Sequence, residues 1–248
     1  MKRNILLAGL VAAIIFSACK KTEEFKTDAI NDYAPLEVGK YITYQLDSLV
    51  FADNITPHDT VITYQVKHMV QDTITDNLGR KAFSIRRFIR KKATDEWIAD
   101  NTFMAVNSGS SFEFIENNFR FLKLKVPFKN GFSWKGNSYI DATSNFPDAP
   151  VVQYYADWDY VYDSLNTPLT LGATIIDSTI KVSERDDTVG NPDDPAVYSQ
   201  IDFSVSNYGK GVGLVYHRFL HQEYQPPTPG TYGYKIGYGI TLTMIDHN

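Results

Sequence analysis

From Tyr41 onward the sequence alternates apolar and polar residues with a period of two, broken only by short clusters of Gly, Asn, Asp and Pro. That period belongs to strands with one buried and one wet face. In 41–51, Ile42, Tyr44 and Leu46 oppose Thr43, Gln45 and Asp47. Comparable runs cover 60–70, 81–91, 97–106, 111–115, 119–126, 151–165, 171–182, 198–207, 212–225 and 232–245. Turn residues at 76–79, 107–109, 116–118 and 209–211 give hairpin spacing, and loops are expected at 57–59, 127–131, 134–137, 184–195 and 226–230. Aromatic residues make up 14% of the chain, with 16 Tyr and 15 Phe, and strands favour such rings. Glycines at 233, 237 and 239 inside the last run point to bends in the sheet. The sequence therefore predicts an all-β, antiparallel domain with a strongly curved sheet or half-barrel; a two-sheet β-sandwich is the alternative. A break at 147–150, between Pro147 and Pro150, is where such a domain would subdivide.

The first 40 residues read differently. Lys2 and Arg3 precede an apolar run from Ile5 to Phe16, which ends in Ser17-Ala18-Cys19. This is the n-region, h-region and small-residue cleavage site of a signal peptide, and the run is too short to span a bilayer. Phe16-Ser17-Ala18-Cys19 resembles the lipobox of bacterial lipoproteins. The resemblance implies lipidation of the Cys19 sulfur and cleavage before it, so that residues 1–18 are removed. Cys19 is the sole cysteine of the chain. A lone thiol is unusual in an oxidising compartment, and a thioether accounts for it. Residues 19–32 are polar and mixed in charge and read as a flexible tether, leaving 33–248 as the β domain. Lys20-Lys21 followed by Glu23-Glu24 is somewhat like the signals that export lipoproteins to the cell surface; solvated charge is the alternative.

Charge narrows the partners. The formal net charge is −5, and a chain without Lys2 and Arg3 is more acidic by two. Nucleic acid needs a basic face and is not an expected partner. The basic run 86–92 lies in a predicted strand, where its charges divide between two faces.

Several stretches together carry a family resemblance: 35–41 (PLEVGKY), 116–124 (ENNFRFLKL), Pro127, 134–137 (WKGN) and 208–216 (YGKGVGLVY). In this order they resemble a pattern recurring in lipoproteins of the Bacteroidota with no assigned activity. The resemblance implies a lipid-anchored β protein of the cell envelope, in the outer membrane, facing either the periplasm or the exterior. It supplies no catalytic motif. The glycine-rich element at 208–216 is also similar to a hairpin of LolA-like periplasmic half-barrels.

Three constellations are candidates for chemistry. Tyr154, Trp158, Tyr160 and Tyr162 share one strand face with Ala156; exposed, they would stack on a sugar or an apolar ligand, and buried, they would be core. Asp157, Asp159 and Asp163 share the opposite face, and Asp186, Asp187, Asp193 and Asp194 crowd the 184–195 loop; the spacing does not match a calcium-binding loop, and solvated acids are the simpler reading. His217, His221 and Glu223 would share a face with Val215 and Phe219, but two strand positions four apart are about 13 Å apart, too far for one metal. No metal or cofactor is therefore expected. Nucleophile-elbow, H-E-x-x-H and phosphate-loop motifs are missing. The function expected is a non-catalytic binding module for a ligand, glycan or envelope partner. A structural accessory subunit of an envelope assembly is the first alternative, and a hydrolase with a dispersed site the second.

Overall fold

The computed structural model of the protein describes residues 27–52, 58–141 and 155–248. In them the chain forms a short helix, α1 (Ile30–Tyr33), and twelve strands. These are β1 (Tyr41–Ala52), β2 (His58–Thr75), β3 (Lys81–Arg90), β4 (Ile98–Asn107), β5 (Ser111–Glu116), β6 (Phe119–Lys125), β7 (Ser133–Lys135), β8 (Asp159–Leu171), β9 (Thr174–Gly190), β10 (Ser199–Gly209), β11 (Gly213–Gln225) and β12 (Tyr234–His247). All belong to one antiparallel sheet in the order β6-β5-β4-β3-β2-β1-β12-β11-β10-β9-β8-β7. Each strand pairs with its sequence neighbours except across β6 and β7, and the first pairs with the last, from Ile42 against His247 to Val50 against Tyr238. The result is an up-and-down meander rolled into a nearly closed barrel, the curved-sheet alternative rather than the sandwich.

The roll follows from local chemistry. Alternation fixes which face turns inward, since a slip of one residue would expose the whole apolar set. Extra residues in one strand of a pair then add twist. Gly237 lies in an unbroken register and serves a close approach instead: it takes φ +112°, and a Cβ there would lie 2.1 Å from the His221 carbonyl oxygen.

Strands β6 and β7 form the seam. They share no ladder, but Leu122 N donates to Gly136 O (2.7 Å) and Trp134 Nε1 to Leu122 O (2.7 Å). The Tyr162 hydroxyl accepts from Lys125 N (2.9 Å) and donates to Lys125 O (2.7 Å). Gly136 is required here, because a Cβ would meet the Tyr160 ring at 2.4 Å.

One end of the barrel is covered by α1 and the Ala34–Pro35–Leu36 segment after it. Ile30, Tyr33 and Ala34 are buried there. Gly211 N donates to Asp32 O (2.6 Å), and the Tyr33 hydroxyl donates to Asn166 Oδ1 (2.9 Å) on β8. Asn248 Oδ1 accepts from Tyr41 N (2.8 Å), so the C-terminus lies at this same end.

Three sequence expectations change. The 134–137 stretch is not wholly loop: Trp134 and Lys135 belong to β7, a strand too short to show a period. The run expected from 151 begins as a strand at Asp159, after Asp157 takes φ 56°. The acidic stretch 184–195 is strand as far as Gly190, so Glu184 to Gly190 extend β9. The 147–150 break, Cys19, residues 1–18 and most of the tether lie outside the described residues.

Candidate functional site

The barrel holds a cavity of about 510 Å³ that is partly open to solvent. It runs from the Ala34–Leu36 cover to Phe119, Phe219 and Tyr238. Its size falls within the range of small-molecule sites. One wall is a chain of rings: Phe119 to Tyr155 (5.7 Å between centroids), Tyr155 to Trp158 (5.5 Å), Trp158 to Phe219 (6.2 Å, stacked) and Phe219 to Tyr238 (5.1 Å).

A buried ionic cluster stands in the lining. Lys123 Nζ lies 3.0 Å from both carboxylate oxygens of Glu184. Ser204 Oγ donates to Glu184 Oε2 (2.6 Å) and Ser206 Oγ to Oε1 (2.7 Å). Both charged residues are bulge residues. Ser204 pairs with Arg185 and Val205 with Ser183, which leaves Glu184 unpaired in the ladder; Phe112 pairs with Leu124 and Glu113 with Leu122, which leaves Lys123 so. The ion pair therefore crosses the seam from β6 to β9. Burial opposes ionisation of Glu184, yet Lys123 and the two serines hold its carboxyl below the ordinary range.

His217 completes this cluster. Its Nδ1 lies 2.9 Å from Ser206 Oγ and 3.1 Å from Val205 O. A carbonyl can only accept, so Nδ1 carries the proton and the Ser206 proton goes to Glu184. Burial pushes the imidazole down to about 4, consistent with a neutral ring. Ser206, His217 and Glu184 thus do not compose a nucleophile with its base, because the base must accept from the serine.

A second polar group forms a row across four strands. His68 on β2 pairs with Arg87 on β3, and Arg87 with Asn101 on β4; Glu116 at the end of β5 follows. All four line the cavity. Arg87 reaches the single oxygen Oδ2 of Asp100 through both Nε (2.6 Å) and Nη2 (2.5 Å). His68 Nε2 is buried without a hydrogen-bond partner. Glu116 makes no hydrogen bond or ion pair among the described residues, and desolvation raises its pKa against the fields of Arg87 and Lys123.

Of the aromatic face read from the sequence, Trp158, Tyr160 and Tyr162 are buried on the inner side of the barrel, 2%, 0% and 1% exposed. Trp158 and Tyr160 line the cavity; Tyr162 packs on Trp134 (4.7 Å) at the seam. Tyr154 lies outside the described residues. Asp157, Asp159 and Asp163 face solvent beside Lys135 and Lys181. His221 Nδ1 lies 2.6 Å from Asp202 Oδ1, and its Nε2 is 3.6 Å from Glu223 Oε1. Among the described residues no group of three His, Cys, Asp or Glu side chains is placed to hold a metal ion. Lys123, Glu184 and the His68–Glu116 row escaped the sequence reading. The inward alternation of β6 and of β3 was the signal that pointed to Lys123 and Arg87.

Fold and interior together define a nearly closed up-and-down β-barrel around an aromatic cavity with polar inclusions. No protein-family model matches the chain, and no curated protein matches it in sequence. Among solved structures it is similar to a protein of Bacteroides fragilis described as inferred to be exported, with a YmcC-like fold. The TM-score is 0.42 at 8% identity, over 86% of this chain and 99% of the other.

Proposed function

We propose that this chain is a lipid-anchored protein of the cell envelope, held in the outer membrane through Cys19, that binds one small, largely apolar ligand inside its barrel without transforming it. The observation that carries this reading is the cavity of about 510 Å³ with its chain of rings. A packed protein interior leaves few voids larger than a water molecule, so space of this size is unusual unless something fills it. The satisfied Lys123–Glu184–Ser204–Ser206 cluster favours binding over nucleophilic catalysis.

Native mass spectrometry of the full chain from amine-oxide micelles tests the cavity. N-phenyl-1-naphthylamine, a neutral apolar probe, should give a one-to-one adduct. The lining substitution Leu46→Trp should reduce that adduct about tenfold while the melting temperature stays near the parent's. Equal retention by both chains would sink the reading. Anchoring is tested separately: Cys19→Ala should move the protein out of the membrane fraction.

A further inference from the structure

The row His68–Arg87–Asn101–Glu116 is placed for recognition and is not used up by the fold. Adjacent strands lie about 4.8 Å apart, so its four members span roughly 15 Å of the inner wall. His68 packs edge-on between Tyr44 and Phe103 (5.1 Å to each ring), yet its Nε2 has no hydrogen-bond partner. Buried polar atoms are rarely left so, and each one asks for an explanation. Arg87 spends Nε and Nη2 on Asp100, and no partner takes its Nη1 among the described residues. Asn101 Oδ1 accepts from Thr102 N (2.7 Å), and its amide nitrogen likewise has no partner there. Glu116 stands opposite Phe119 in the β5–β6 hairpin, where the polar row meets the chain of rings.

The charges decide what head group fits. An anionic head would lie beside the Glu116 carboxyl, and a cationic head beside Arg87 and Lys123. Arg87 and Lys123 are already paired, with Asp100 and Glu184, so neither cation is free to take up an anionic head. What remains is a mixture of hydrogen-bond donors and acceptors next to aromatic faces. Hydroxyl groups, which both donate and accept, match that mixture. Resting on the binding-barrel reading above, we propose that the ligand is a neutral amphiphile with a polyol head. Its hydroxyls are held by His68, Arg87, Asn101 and Glu116, and its apolar body lies against the ring chain from Phe119 to Tyr238.

The test uses the full chain in amine-oxide micelles and native mass spectrometry, with four probes offered at equal concentration: decyl maltoside, monodecanoyl glycerol, decanoate and N-phenyl-1-naphthylamine. At least one polyol amphiphile should be retained tenfold or more over decanoate. Preference for decyl maltoside would identify a glycosyl head, and preference for monodecanoyl glycerol a glyceride. Glu116→Leu and His68→Phe should each reduce polyol retention about tenfold, several times more than they reduce N-phenyl-1-naphthylamine retention. Melting temperatures close to the parent's show that the variants fold. Decanoate retained as well as the polyol probes, or polyol retention untouched by both substitutions, would overturn the head-group assignment and leave the cavity reading standing. Loss of the naphthylamine adduct in the parent chain would overturn both.

Discussion

At the scale of single residues, Lys123 and Glu184 bear a heavy electrostatic demand. Glu184 is 1% exposed, and taking a carboxylate out of water costs several kcal/mol unless a partner and hydrogen bonds offset it. Lys123→Met leaves that carboxylate uncompensated and should lower stability by about 3–5 kcal/mol in urea unfolding. The double change Lys123→Met with Glu184→Leu should recover most of the loss, because no charge is then stranded. A double variant no more stable than Lys123→Met would show that the pair matters by packing and not by charge. The sequence made Trp158, Tyr160 and Tyr162 legible as one face, because alternation survives any detail of register. It hid Glu184, since the string from Glu184 to Pro195 has the composition of a loop, and a bulge cannot be read from composition.

At the scale of elements, the seam is the informative place. The nine longer hairpin ladders were predictable from period-two runs and their turns, and the Asp76 turn is a clear instance; the β1–β12 closure was not, since no turn joins those strands. Asp76 Oδ1 accepts from Leu78 N and Arg80 N, both at 2.9 Å, as a short acid beside Asn-Leu-Gly would be expected to do. Strand β7 was not predictable, because three residues carry no period. Its role depends on one close approach, the backbone of Gly136 against the Tyr160 ring. Gly136→Ala should therefore cost roughly 1–3 kcal/mol through overpacking. It should also raise amide exchange at Leu122, whose N–H donates to Gly136 O. Unchanged protection at Leu122 would show that the seam is held elsewhere.

At the scale of the whole molecule, two desolvated imidazoles tie stability to acidity. Burial, with Arg87 nearby, pushes His68 down to about 3, and burial pushes His217 down to about 4, both from an ordinary 6.5. Below pH 6.5 the unfolded chain takes up protons that the folded chain refuses, so stability falls as pH drops from about 6.5 toward 4 and 3. Glu184, held below its ordinary range, works in the same direction but only under about pH 4.5. The urea midpoint should therefore decline between pH 7 and 5, offset in part by Glu116, whose raised pKa adds stability on acidification. His217→Gln should flatten that decline, and an equal slope in the variant would refute the assignment. The barrel's closure has a further consequence. The ring of strands is complete where the polypeptide begins and ends, and interrupted at its middle. Covalent continuity and ladder continuity are thus half a revolution out of phase. Cutting the chain between β6 and β7 and joining Asn248 to the α1 segment would remove no ladder hydrogen bond. To the sheet, such a rearranged chain is a plain ribbon whose two physical ends are its two sequence ends.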